Sequence, residues 1–386
     1  MSLSLGFSLM VLVASLALYG DVARGWGRLR QLRDVAPILP PNPPAVSVIV
    51  AARDEARVIE PAIRSLLAIA YPALEIAVVD DRSTDATGDI LDRLRLEFPN
   101  LQVLHISDLP AGWLGKNHAL HRGGENARGA YLIFSDADVI FEKSSVSRAV
   151  AHCEAERLDH LTVIPSITAR SLFLALSMMG GFVGILALHR PWRARESGKH
   201  GLGVGAFNMV KAVSYREAGG HQTLAMEVLD DIELGRLMGK EHRRQEVLLG
   251  DDMVALEMYR SAMEMFLGIQ KNVFTFLDYS APKLLAATAV TFSFSVWPWI
   301  GPFLTEGAAR WMNLGSAAAA ILLYGHLAPK FGYSRWCVAW LPVTGVVSIF
   351  LFWQVAIRTW LSGGIVWRGT FYKLSEIRGG RRLRGR

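Results

Sequence analysis

The chain has 386 residues, 51% hydrophobic and 20% charged, with a formal net charge of +6 and a mean hydropathy of +0.26. That balance is too apolar for an ordinary soluble enzyme and predicts that part of the chain sits in lipid. The positive charge gathers beside apolar segments, at Arg24, Arg28, Arg30 and Arg33 and in the tail "RGGRRLRGR". This pattern belongs to membrane orientation and headgroup contact and argues against nucleic acid as a partner.

Residues 3–20, "LSLGFSLMVLVASLALYG", are uncharged and long enough to span. Charge follows this run instead of preceding it, and no small-residue cleavage site stands out, so an uncleaved anchor with its C-terminal side in the cytoplasm is expected. The proline-rich "APILPPNPPA" then acts as a spacer. The division predicted is an anchor over 1–22, a basic and Pro-rich linker over 23–44, a catalytic domain over 45–283, and a transmembrane region with a basic tail over 284–386. Cys153 and Cys337 stand far apart, so neither a disulfide framework nor a cysteine zinc site is expected.

From Val46 the pattern changes. "VSVIVAAR", "LEIAVVDD", "LQVLHIS" and "AYLIFSD" read as strands, separated by helical stretches such as "TGDILDRLRLEF". Strands alternating with helices predict an α/β fold with a mostly parallel sheet, whose ligands bind at the carboxyl ends of the strands. Polar residues collect at those ends: Arg53 to Glu55, Asp80 to Asp85, and Asp136 to Asp138.

Four features there carry chemistry, each with a plainer reading beside it. Asp136 and Asp138 in "SDAD" offer hard oxygen ligands for Mg2+ or Mn2+, or form an Asp-rich turn. Asp80 and Asp81 in "VVDDRSTDAT" can bind a base or ribose, or serve a helix N-terminus. Lys116 in "GWLGKNHAL" suits a phosphate, or is simply solvated. In "EVLDDIELGRLM", Asp230 and Asp231 answer to a helix dipole, or supply a general base. His118 and His221 lack a metal-spaced partner and read as structural hydrogen-bonding residues.

Farther on, "SLFLALSMMGGFVGILALH" (171–189) is long enough to cross a membrane. A crossing would put Asp136 and the pair Asp230/Asp231 in opposite compartments, so the segment is read as interfacial or re-entrant. Candidate spans follow at about 284–304, 314–330 and 337–357. Three crossings after a cytoplasmic domain place the basic tail outside, against the positive-inside rule; the Ala-rich 314–330 is the weakest span.

Taken in order, "VIVAARDE", "VVDDRSTDAT", "GKNHAL", "SDAD", "GAFNMV" and "LDDIELG" resemble the processive and lipid-modifying branch of family 2 glycosyltransferases over roughly residues 45–275. The anchor and C-terminal spans resemble ceramide glucosyltransferases and hopanoid-associated glycosyltransferases. The resemblance implies a GT-A (Rossmann-like) catalytic domain. It implies a nucleotide-sugar donor (UDP-linked) against Ala51, Arg53 and Glu55, with the base at Asp81 and Lys116 in the donor pocket. Asp136 and Asp138 match the D-x-D motif, where metal and diphosphate meet; Asp231 falls on the base position; Gly205 and Asn208 flank the acceptor. Two departures stand out. The usual Glu-Asp pair is Asp-Asp here, leaving Asp230 as a competitor for the base role, and the Q/R-x-x-R-W motif is absent in that form. "EMYRSAMEMFLGIQKN" stands in its place, with Arg260 and Lys271 as phosphate contacts.

The expectation is therefore an inverting, metal-dependent transfer of a sugar to a lipid hydroxyl, by an integral protein of a bacterial inner membrane with its catalytic domain in the cytoplasm. The alternatives are a polyprenyl-phosphate glycosyltransferase, and a membrane scaffold or transporter with a degenerate nucleotide-binding domain.

Overall fold

The computed structural model describes residues 3–380, apart from the side chains of residues 270, 271 and 273. Contacts divide the chain into two compact units. One comprises Met1–Arg28, Ile167–Arg190 and Met258–Ile365; the other comprises Leu29–Ser166, Pro191–Glu257 and Val366–Arg386. Residues 171–189, read from sequence as part of the catalytic domain, thus group with the N-terminal and C-terminal helices. The end of the chain returns to the unit of the sheet. The last six residues of the basic tail lie outside the described residues.

The strands are β1 (Val46–Ala52), β2 (Leu74–Asp81), β3 (Leu101–Ile106), β4 (Tyr131–Asp136), β5 (Val139–Phe141), β6 (His160–Ile164), β7 (Ser166–Ala169), β8 (Asn208–Lys211), β9 (Gln245–Leu249), β10 (Val254–Tyr259), β11 (Gly364–Trp367) and β12 (Thr370–Lys373). The main sheet has the order β3-β2-β1-β4-β8-β6-β9. β1 pairs in parallel with β2 and β4, β2 with β3, and β6 with β9; β8 runs antiparallel between β4 and β6. This is the α/β, mostly parallel architecture expected from the sequence.

β1 and β2 are continuous apolar runs because both faces of a helix-covered parallel sheet are buried. Val46, Val48, Ile49, Val50, Val78 and Val79 are all essentially inaccessible. The chain passes from β1 to β2 on one side and later enters β4 on the other. Strand order therefore reverses at β1, which opens a crevice beyond the carboxyl ends. The register levels those ends: Ala51 pairs with Asp136 of β4, and Ala52 with Asp80 of β2.

In the other unit, four helical stretches among the described residues are long and apolar enough to cross a membrane: Leu3–Trp26, Leu172–Arg193, Ala281–Leu304 and Arg335–Ser362. Gly307–Leu327 is a 21-residue helix but not one of the four, since glycine, alanine and polar residues such as Asn313 and Ser316 dilute its hydropathy. Within Ala281–Leu304, Pro298 and Pro302 remove backbone donors, and the helix loosens into a π turn at Phe292–Val296.

Candidate active site

The loops after β1 and β2 knit together into one wall. Asp54 adopts a left-handed backbone (φ 54°) and accepts from the Thr84 N–H at 2.7 Å. In return its own N–H donates to Ser83 Oγ at 3.0 Å, and the Glu55 N–H donates to Thr87 Oγ1 at 2.8 Å. Asp80 accepts from the Ser83 N–H at 3.3 Å and from His105 Nδ1 at 2.9 Å. Asp80 and the "RSTDAT" residues are therefore occupied in building the loop.

Asp81 is buried and held by Arg82, at 2.8 and 3.1 Å, with Arg53 Nη1 3.7 Å away. Gly115 packs on it so closely that a Cβ there would stand 2.2 Å from Asp81 Oδ2.

Across the crevice, Lys116 Nζ lies 2.8 Å from Asp136 Oδ1 and 3.3 Å from Asp230 Oδ2. Burial opposes the Lys116 charge, but Asp136, Asp230 and Asp231 outweigh it and raise its pKa. Asp231 is the second residue of the helix Asp230–Lys240. Its Oδ1 accepts from the Ile232 N–H at 2.8 Å and its Oδ2 from the Gly205 N–H at 2.9 Å. Burial raises the Asp231 pKa; Lys116 opposes this and Asp136 adds to it. A cavity of about 10 Å3, the size of one water, is lined by Lys116, Asp136, Gly205, Asn208, Asp230 and Asp231.

Residues on both sides of the helix Leu172–His189 meet at one ammonium, since Asp136 precedes that helix and Asp230 follows it.

Asp138 sits one turn beyond Asp136. Burial, with the charges of Asp136 and Glu55, pushes its pKa up to about 7. Burial also raises Glu55, with Arg368 opposing and Asp136 and Asp85 adding. Among the described residues no group of three His, Cys, Asp or Glu is arranged to hold an ion unaided.

Asn208 is buried with both ends of its amide engaged: its Nδ2 donates to the Asp231 carbonyl at 3.2 Å, and its Oδ1 meets His160 Nε2 at 2.6 Å. His221 is packed between Phe134 and Tyr215, with its Nδ1 2.8 Å from the Tyr215 hydroxyl. Burial and nearby Lys116 push its pKa down to about 3, so it is neutral.

Of the residues singled out in sequence, Ala51, Arg53, Glu55, Asp81, Lys116, Asp136, Asp138, Gly205, Asn208, Asp230 and Asp231 all belong to the unit of the sheet. Arg260 and Lys271 belong to the other unit. The Arg260 N–H donates to Glu264 Oε2 at 2.9 Å; Lys271 falls on the helix Gln270–Phe276 and its side chain lies outside the described ones. Sequence reading missed the β11–β12 hairpin. Its Arg368 pairs with Glu55, and its Tyr372 hydroxyl accepts from the Gly115 N–H at 3.1 Å. The available signal was "WRGTFYK", a turn glycine between alternating apolar residues.

A mostly parallel sheet with acids from three strand ends and a later helix facing its switch point is the GT-A arrangement. Residues 47–177 match the model of "Glycosyl transferase family 2", and with the relatives that follow this makes the chain a glycosyltransferase. It is similar to 4,4'-diaponeurosporenoate glycosyltransferase of Staphylococcus aureus. The identity is 22% over 347 residues for strain MRSA252, covering 87% of this chain and 90% of that protein. For strain USA300 it is 23% over 346 residues with the same shares. Among solved structures, a mannosyltransferase of Pyrobaculum calidifontis in complex with GDP-Man and Mn2+ shares the fold, with a TM-score of 0.50 and 18% identity over 92% of this chain and 99% of that one. These likenesses set aside the non-catalytic scaffold or transporter.

Proposed function

We propose that the chain transfers a sugar from a nucleotide-diphosphate sugar to the hydroxyl of a membrane lipid, with inversion. The observation that carries this reading is the pairing of acids at the crevice: Lys116 neutralises Asp136 and Asp230, while Asp231 lines the same cavity with a raised pKa.

Asp231 takes the proton of the acceptor hydroxyl as that oxygen attacks the anomeric carbon; the bond to the donor's diphosphate breaks and the nucleotide leaves. Its raised pKa makes it the better base, whereas Asp230 is committed to Lys116. The N–H groups of Gly205 and Ile232 orient its carboxylate, and Asn208 fixes the backbone beneath it. Gly205 stands on the acceptor side. Lys116 and Arg53 supply positive charge toward the donor, and the loops bearing Ala51, Glu55 and Asp81 cradle its nucleotide. Arg260 and Lys271 keep the role of donor-phosphate contacts as a proposal from sequence alone.

The donor set fits Mg2+ or Mn2+. Asp136 and Asp138 are hard oxygen ligands; burial first, and then the charge of Asp136, raises the proton affinity of Asp138 and of nearby Glu55. Two carboxylates completed by substrate phosphates is the habitual coordination of Mg2+. Such an ion, held by Asp138 and Asp136, would neutralise charge developing on the leaving diphosphate. The P. calidifontis mannosyltransferase is in complex with GDP-Man and Mn2+, which fits a nucleotide-sugar donor and a divalent ion. The S. aureus relatives are named for 4,4'-diaponeurosporenoate as the group glycosylated, which fits an acceptor other than a nucleotide or a sugar.

The four apolar helices support an integral membrane protein, with the sheet unit on the cytoplasmic side of a bacterial cell membrane. For the helix Leu172–Arg193 the proposal keeps the reading of a segment resting on the membrane, because Asp136 before it and Asp230 after it meet at Lys116. The test is Asp231→Asn: donor binding should persist and transfer to a lipid hydroxyl should vanish. Undiminished transfer would favour a phosphate acceptor, which needs no base.

A further inference from the structure

Three guanidinium groups converge where the loops after β1 and β2 meet the β11–β12 hairpin. Arg53 Nε is buried without a hydrogen-bond partner, and its nearest carboxylates stand off at 3.9 Å (Asp54) and, from Nη1, 3.7 Å (Asp81). Arg82 clasps Asp81, on which Gly115, the partner of the Tyr372 hydroxyl, also packs. The third is Arg368, at the hairpin tip, paired with Glu55. The tip adjoins Arg53, since a Cβ on Gly369 would lie 3.9 Å from Arg53 Nη2.

The tip is a two-residue turn with positive φ at both Arg368 (46°) and Gly369 (73°). Such turns favour Asn, Asp or Gly at the first position, and a long side chain there is held against its backbone preference. The reason for arginine lies at the far end of its side chain. That end meets Glu55, which is surrounded by other acids. A guanidinium fork suits two oxygens of a phosphate as well as it suits the two of the Glu55 carboxylate. Tyr372, anchored on the Gly115 N–H, fixes the second strand and so aims the tip at the crevice.

We propose that Arg368 is a donor-phosphate ligand, delivered by the C-terminal hairpin, and that it exchanges Glu55 for the diphosphate while Arg53 takes a second phosphate oxygen. This rests on the reading that the donor is a nucleotide-diphosphate sugar.

The test is equilibrium binding of UDP and GDP, with uridine and guanosine as controls, to the full-length protein in detergent. Arg368→Ala and Arg368→Asn should each weaken the diphosphate that binds by about 10- to 100-fold, the value of an arginine–phosphate contact, and Arg368→Lys should weaken it less. Nucleoside binding should stay unchanged. Because asparagine suits a left-handed backbone, Arg368→Asn should melt no lower than the wild type, which separates lost contact from lost fold. Diphosphate affinity equal to wild type in the folded variants overturns the inference alone, as does equal weakening of nucleoside and diphosphate. A wild-type protein that binds neither UDP nor GDP overturns the proposed donor class, and this inference with it.

Discussion

The Gly205 N–H donates to Asp231 Oδ2 at 2.9 Å, and the same glycine, by lacking a side chain, leaves room for Asp136. A Cβ on Gly205 would stand 2.4 Å from Asp136 Oδ2. Asp136 is held by Lys116, so it cannot retreat without loosening that ion pair. Gly205→Ala is predicted to lower kcat by about 10- to 100-fold, as sub-ångström misplacement of reacting groups does, and to cost about 1–3 kcal/mol from overpacking. Turnover and a thermal melt measure the two effects; turnover within twofold of wild type would contradict the packing argument.

Asp231 gives a pH signature. Burial raises its pKa above the ordinary 3.8, so the folded protein binds its proton more tightly than the unfolded chain. The stability it contributes is full below the unfolded pKa and is lost as pH rises through the folded value. Asp231→Asn does not titrate, so its stability relative to wild type should rise with pH from about 4 upward. Over the same window wild-type kcat/KM should fall on acidification, with a midpoint above an ordinary aspartate. Denaturant melts of both proteins at several pH values check the sign; a difference independent of pH would count against the raised pKa.

Lys116→Met leaves Asp136 and Asp230 without their shared cation. Asp230 is buried but Lys116 and Asp136 are partly exposed, so the cost should fall below about 3–5 kcal/mol, that of breaking a fully buried pair from one side. The loss should be largest at neutral pH and shrink on acidification, because protonated carboxylates no longer repel. A second change, Asp230→Asn, should recover part of the stability without restoring transfer. Chemical denaturation of the single and double variants reads this directly.

Much of this was legible in the chain because parallel strands announce themselves. "VSVIVAA" and "LEIAVVDD" are mainly apolar runs, the first followed by Arg53 and acids and the second ending in them, and they are β1 and β2. The D-x-D pair and the Asp-Asp pair were found because each ends or begins an element with a strong pattern. What the sequence concealed is long-range. Nothing local tells that Asn208 spends both ends of its amide on Asp231 and His160. Likewise nothing local tells that Asp80 is engaged by His105, 25 positions on. The hairpin was missed because a four-residue strand after a long apolar helix carries little period, and because Arg368 meets Glu55 across 313 positions.

The central claim is tested most directly by incubating the purified full-length protein with membrane lipid extract and a panel of nucleotide sugars, and reading the lipids by mass. The account predicts one donor whose sugar appears on a lipid hydroxyl with Mg2+ or Mn2+ present, falls away with a chelator, and is absent with Asp231→Asn. Sugar transfer undiminished by both the chelator and Asp231→Asn would contradict it.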